Sequence, residues 1–248
     1  MLLVLLTALG VGGATVIGAL IGFIFKGLSH RFSNMIVSFA AGIMLSAAVL
    51  GLILPSIEYG GSWGVAVAVL GILVGGICIN LSDKLVPHIH KLVGLDGDKN
   101  SGTARGVLLF VIAIGIHNLP EGIAAGVGFG AGDIENAILI AAGIALHNIP
   151  EGMVIIAPML SAGISPGKTF VIALITGLAE VVGTLIGYFA VSLASAILPF
   201  ALAFAGGAML YVISEEMIPE SHSSGEECKV TYAFLCGFCC MLVLDAVM

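Results

Sequence analysis

Hydrophobic residues come along this chain in long blocks, with the polar residues gathered between them. Eight blocks are long enough to cross a bilayer: residues 2–25, 35–57, 63–81, 106–128, 134–160, 169–193, 196–218 and 230–247. A crossing needs about 20 apolar residues in helical form, and only helices or closed barrels satisfy their backbone polar groups in lipid. The pattern therefore predicts an all-α, polytopic membrane protein with eight transmembrane helices in one domain, residues 1–248. The first block lacks a charged leader and is too long for a signal h-region, so it reads as a membrane helix. Residues 82–105 read as a polar loop, with Pro87, Gly94 and Gly97 breaking any helix.

Composition agrees. The chain is 59% hydrophobic and 9% charged, against roughly a quarter charged in soluble domains. Its 35 glycines suit helices whose backbones approach closely in lipid. No basic patch offers itself to nucleic acid. The five cysteines fall mostly inside apolar runs and form no extracellular disulfide framework. Cys236, Cys239 and Cys240 share one face of the last span, where small apolar packing is the simpler reading than a soft-metal site.

Charge placement gives an orientation. All eight Lys and Arg residues lie in or beside the odd-numbered connections: Lys26, Arg31, Lys84, Lys91, Lys99, Arg105, Lys168 and Lys229. By the positive-inside rule those connections are cytoplasmic and both termini face outside. The compact size points to a plasma membrane.

Polar groups within the spans are costly and mark function. His117-Asn118-Leu119-Pro120-Glu121-Gly122 in the fourth span returns as His147-Asn148-Ile149-Pro150-Glu151-Gly152 in the fifth. The two copies run antiparallel, an inverted pair at about 16–20 Å from a span end at 1.5 Å per residue. Such a pair near the midplane is a pointer to a transporter binding site. On a helix, His at i and Glu at i+4 share a face, and Asn at i+1 lies on the adjoining strip. Each Pro removes a backbone donor and is expected to kink its helix. Glu180 is the only ionisable residue within the sixth span. The predicted site thus lies between helices 4, 5 and 6 and could hold two ions, with Glu121 and Glu151 bridging and Asn118 and Asn148 completing the second position. Mixed imidazole and carboxylate ligands suit Zn²⁺, Fe²⁺, Mn²⁺, Co²⁺ or Cd²⁺ better than Mg²⁺ or Ca²⁺. Hydrogen-bonding glue between helices would not require a hexapeptide repeated in this way.

These motifs resemble those of the ZIP family of divalent-metal transporters, and most of all its bacterial ZupT/GufA-type members. The resemblance covers the whole chain. It implies a binuclear centre, with His117, Glu121, His147, Glu151 and Glu180 at the first position. Asn118 and Asn148, with the shared carboxylates, would form the second. Some members have Gln-Asp where this chain has His147-Asn148, which weakens the second position here. The resemblance also implies zinc uptake into the cytoplasm, homodimers, and movement of helices 1, 4, 5 and 6 against helices 2, 3, 7 and 8.

Weaker candidates are His88 and His90 in the polar loop, and Glu215 and His222 where the seventh span ends; Glu215 is expected to face the exit. Solvated loop histidines and a polar helix end are the plain alternatives. Met44 and Ser46 are candidates for an entry path. An intramembrane enzyme is disfavoured: zinc proteases carry His-Glu-x-x-His and di-iron bundles Glu-x-x-His, whereas this motif is His-x-x-x-Glu. A passive metal channel would use the same residues.

Overall fold

Apolar runs bounded by Gly, Pro and polar residues give α-helices. The computed structural model describes residues 1–25, 30–92, 115, 118–130, 132–161, 163–223 and 227–247. Helix α1 is Leu2–Ile24 and α2 is His30–Ser46. Helix α3 is Gly64–Leu92, and α4 is helical over 118–130. Then come α5 (Ile134–Ser161), α6 (Pro166–Leu193), α7 (Leu198–Val212) and α8 (Glu227–Val247). There is no strand among the described residues. Among the described residues seven helical stretches are long and apolar enough to cross a membrane. Leu6, Leu73, Ile77, Ile175, Tyr232 and Val243 are among the large side chains on the outer surface, as lipid as solvent requires.

Two helices contain wide π-helical turns. After α2 the chain passes through Ala47–Ile53 into Leu54–Tyr59, and after α7 through Ile213–Met217 into Ile218–Ser221. Each wide turn is followed by a proline at the second position of the next segment, Pro55 and Pro219. Pro55 cannot donate to the carbonyl of Gly51, four residues back. That carbonyl instead accepts from Asn136 Nδ2 at 3.4 Å.

The helices pair by close backbone approach. A Cβ on Gly152 of α5 would strike the Thr15 carbonyl of α1, and one on Gly122 of α4 would strike the Glu180 carbonyl of α6. Gly12 of α1 and Gly177 of α6 face each other in the same way. Helices α1, α4, α5 and α6 are thus held at backbone contact. In the other four, Gly237 of α8 lies against Phe39 of α2, and Gly75 of α3 against Phe204 of α7. At two glycines that face across to the other set, side chains fill the space: Ile140 of α5 covers Gly51, and Met241 of α8 covers Gly143.

One expectation is corrected. Residues 82–92 are not loop: α3 continues through Pro87 to Leu92, although Pro87 lacks the backbone donor of an ordinary helical residue. His88 and His90 lie on that extension, with their side chains outside the described residues, as is 93–105 entirely. Pro150 lies within α5, which is helical on both sides of it. The wide turns fall in the chain that follows α2 and α7.

Candidate metal centre

The repeated motif places its groups where α1, α4, α5 and α6 meet. Glu121 of α4 and His147 and Glu151 of α5 form a cluster whose candidate ligand atoms lie within 4.8 Å of one another. Glu121 Oε2 is 3.2 Å from His147 Nε2, which is 4.0 Å from Glu151 Oε2. Glu121 and His147 are buried, and Glu151 is partly open. The i, i+4 spacing on one uninterrupted helix accounts for the His147–Glu151 pair. His117, the other expected imidazole, lies outside the described residues.

Asn118, Asn148 and Glu180 form an adjoining group, all fully buried. Asn118 Nδ2 donates to Glu180 Oε1 at 2.7 Å, and Asn148 Nδ2 donates to Glu180 Oε2 at 2.5 Å. Thr15 of α1, unremarked in the sequence, donates from its hydroxyl to Glu180 Oε1 at 2.7 Å. Both Glu180 oxygens are therefore taken by hydrogen bonds, and Glu180 stands beside the three-residue cluster rather than in it. One of two hydroxyls in an apolar helix, with Thr7 the other, carried no signal that it would reach this site.

Six buried atoms here make no hydrogen bond: Oδ1 of Asn118 and Asn148, Oε2 of Glu121 and Glu151, and both ring nitrogens of His147. Each orphaned buried polar atom costs about 1–3 kcal/mol, and native interiors contain few. With the imidazole neutral and its proton on Nδ1, the four oxygens and Nε2 are all electron-pair donors. A divalent cation would satisfy such a set, and the mixed N/O character fits a first-row transition metal.

The cluster lies at the inner end of a cleft between the two helix sets. Val37, Ala40 and Met44 line it from α2; Glu216, Met217 and Glu220 line it from the chain after α7. Met44 thus borders the cleft, whereas Ser46 is buried with an unpartnered hydroxyl. Glu215 is exposed and is not part of the lining. The wide turn at Ile213–Met217 brings Glu216 into line with Val212, where a 3.6-residue turn leaves Glu215 and Glu216 equally placed. His222 is also outside the lining; its Nδ1 is 2.9 Å from the Ile218 carbonyl. All five cysteines are free and exposed, so those of α8 face outward rather than into packing.

The model of a family described as ZIP Zinc transporter matches residues 95–245. The chain is 42% identical to "Zinc transporter GufA" of Myxococcus xanthus, over 97% of both chains. It is 36% identical to "Zinc transporter ZupT" of Chlorobaculum parvum, over 87% of this chain and 86% of that one. It is 31% identical to "Zinc transporter ZIP11" of Xenopus tropicalis, over 94% and 93%.

Proposed function

The chain belongs to the ZIP zinc transporter family, and we propose that it carries divalent transition metals, zinc foremost, across the plasma membrane into the cytoplasm. The metal is cargo, and the protein is not an enzyme. One observation carries this reading: unpartnered ligand atoms of Glu121, His147 and Glu151 gathered at the closed end of a cleft between two helix sets. Ferrous iron, manganese, cobalt and cadmium share the ligand preferences of zinc and are secondary cargo.

His117 completes the first ion position, and the amide oxygens of Asn118 and Asn148, with bridging Glu121 and Glu151, supply the second. Glu180 anchors both amides and is the remaining acidic member of the centre. The fourth sequence span, residues 106–128, supplies an eighth crossing, so that the two motif copies form an inverted pair. With the basic connections cytoplasmic and both termini outside, the cleft opens toward the cytoplasm. Glu216 and Glu220 then line the exit. The family resemblance implies a homodimer.

The packing supports a carrier over a channel. Glu121, His147 and Glu151 all belong to the set α1, α4, α5 and α6, whose members touch at backbone distance, while side chains fill the seam to the other set at Gly51 and Gly143. A set so joined can shift as a body with its ion. Zinc influx into proteoliposomes containing a metal-sensitive dye tests the function: saturable influx is expected, lost in Glu121→Gln. Flux linear in zinc concentration, with engineered cysteines reachable from both sides at once, would point to a channel. Zinc bound at equilibrium but never moved would refute transport.

A further inference from the structure

A buried threonine in a helix usually turns its hydroxyl back to a carbonyl three or four residues earlier. Among the described residues four threonines are buried, and three behave this way. Thr169 donates to Ser165 O at 3.1 Å, Thr176 to Ala173 O at 2.9 Å and Thr184 to Glu180 O at 2.9 Å. Thr15 departs from the habit. The carbonyl four residues before it, on Val11, accepts from Asn148 Nδ2 at 3.2 Å. Its own hydroxyl crosses to α6 and donates to Glu180 Oε1. Helix α1 has thus exchanged an internal bond for two bonds into the polar centre, one from each partner.

We infer that Thr15 is a positioning residue for the metal centre: it pins the Glu180 carboxylate that holds the NH₂ groups of Asn118 and Asn148, leaving both amide oxygens free for the cation. The inference rests on the reading that Glu121, His147 and Glu151 hold the transported ion. An amide side chain has a donor end and an acceptor end. With the NH₂ of each Asn on Glu180, the remaining atom is Oδ1, and both Oδ1 atoms are buried without a hydrogen bond. Amide oxygens are competent cation ligands, and amide nitrogens are not.

Glu180 keeps its orientation because three donors from three helices converge on its two oxygens. The terminal torsion of a glutamate is broad and roughly two-fold, so the carboxylate has little orientation of its own. Without the Thr15 hydroxyl, Oε1 keeps the Asn118 amide but loses its tie to α1. The carboxylate can then turn, and the amides with it. The backbone of Thr15 is engaged as well, since its carbonyl lies against Gly152, the residue after Glu151. The side chain and the backbone of one residue therefore reach both halves of the centre.

The test uses the full chain, measuring zinc influx kinetics in proteoliposomes and equilibrium zinc binding in detergent. Thr15→Val keeps the shape and removes the hydroxyl; Thr15→Ser keeps the hydroxyl. Loss of a group that orients metal ligands typically costs roughly 10–100-fold in affinity. Thr15→Val is expected to raise KM and the zinc dissociation constant by about that factor, with the maximal rate per molecule little changed. Thr15→Ser is expected to restore both constants. Should Thr15→Val fold poorly, Thr15→Ala repeats the measurement with less bulk. Wild-type constants in Thr15→Val would overturn the inference. So would equal losses in the Val and Ser variants, since that pattern reports packing. Glu121→Gln is the separate control on the reading beneath: if it binds and moves zinc normally, that reading fails whatever Thr15 does.

Discussion

Tyr59 donates from its hydroxyl to Asp133 Oδ2 at 2.6 Å, joining the end of the α2 rod to the residue that caps α5. Asp133 uses its other oxygen to accept from the backbone N–H of Asn136 at 3.2 Å, and the Asn136 side chain reaches the Gly51 carbonyl. These bonds cross the seam between the two helix sets at the end away from the cleft. They tie the two sets together at that end. Tyr59→Phe is expected to favour separation of the sets there by up to about tenfold, since an exposed bond to a carboxylate lies at the low end of the charged range. Thiol labelling of a cysteine introduced near Gly51 should then become faster, with equilibrium zinc binding unchanged. Unaltered labelling would show that the bond does not restrain the seam.

Glu121→Gln and Glu151→Gln should each lower zinc uptake by at least about a hundredfold. Groups that merely orient ligands already account for roughly 10–100-fold, and these two carboxylates are candidate ligands themselves. Initial rates per folded molecule in proteoliposomes provide the measure.

Uptake should weaken on acidification. Imidazole and carboxylate bind metal only after losing a proton, so protons compete with the ion. Below about pH 6.5 imidazole protonates in water, and carboxylates follow near pH 4. The direction is fixed: lower pH means higher KM for zinc. A KM independent of pH between 8 and about 5 would count against a His/Glu ligand set.

At the end of α7, Glu216→Gln should slow zinc release into the vesicle or cytoplasm, whereas Glu215→Gln should leave transport near wild type. The difference follows from exposure: Glu216 lines the cleft and Glu215 does not. Single-turnover release of bound zinc distinguishes the two.

Gly152→Ala should destabilise the protein, because the new Cβ would strike the Thr15 carbonyl, which belongs to a backbone. Overpacking of this kind costs about 1–3 kcal/mol. Gly13→Ala, with nothing within 4 Å of the added carbon, is the matched control and should be tolerated. Thermal denaturation in detergent compares them.

Most of the spans were legible because lipid demands unbroken apolar helices, and that demand is written in composition. Leu2–Ile24 and Pro166–Leu193 lie within three residues of the expected bounds. The Glu121–His147–Glu151 cluster was legible because helical spacing alone puts His147 over Glu151. The wide turns were not: nothing in Ala47–Ile53 distinguishes it from ordinary helix except the later Pro55. The same blindness led to Glu215 in place of Glu216, since the choice depends on residues per turn. Thr15 was hidden for another reason. Its importance depends on which helix α1 faces, and pairing partners leave no mark in one sequence.

The division of contacts has a consequence for how such a protein can diversify. The candidate metal-ligand atoms among the described residues belong to helices joined backbone to backbone, while side chains such as Ile140 and Met241 pack across the seam. On the proposed carrier mechanism, substitutions at the seam would alter the friction between the two helix sets without touching the candidate ligands. Substitutions at those ligands would alter the choice of ion without changing the friction. Speed and selectivity would then be separable traits, open to change one at a time.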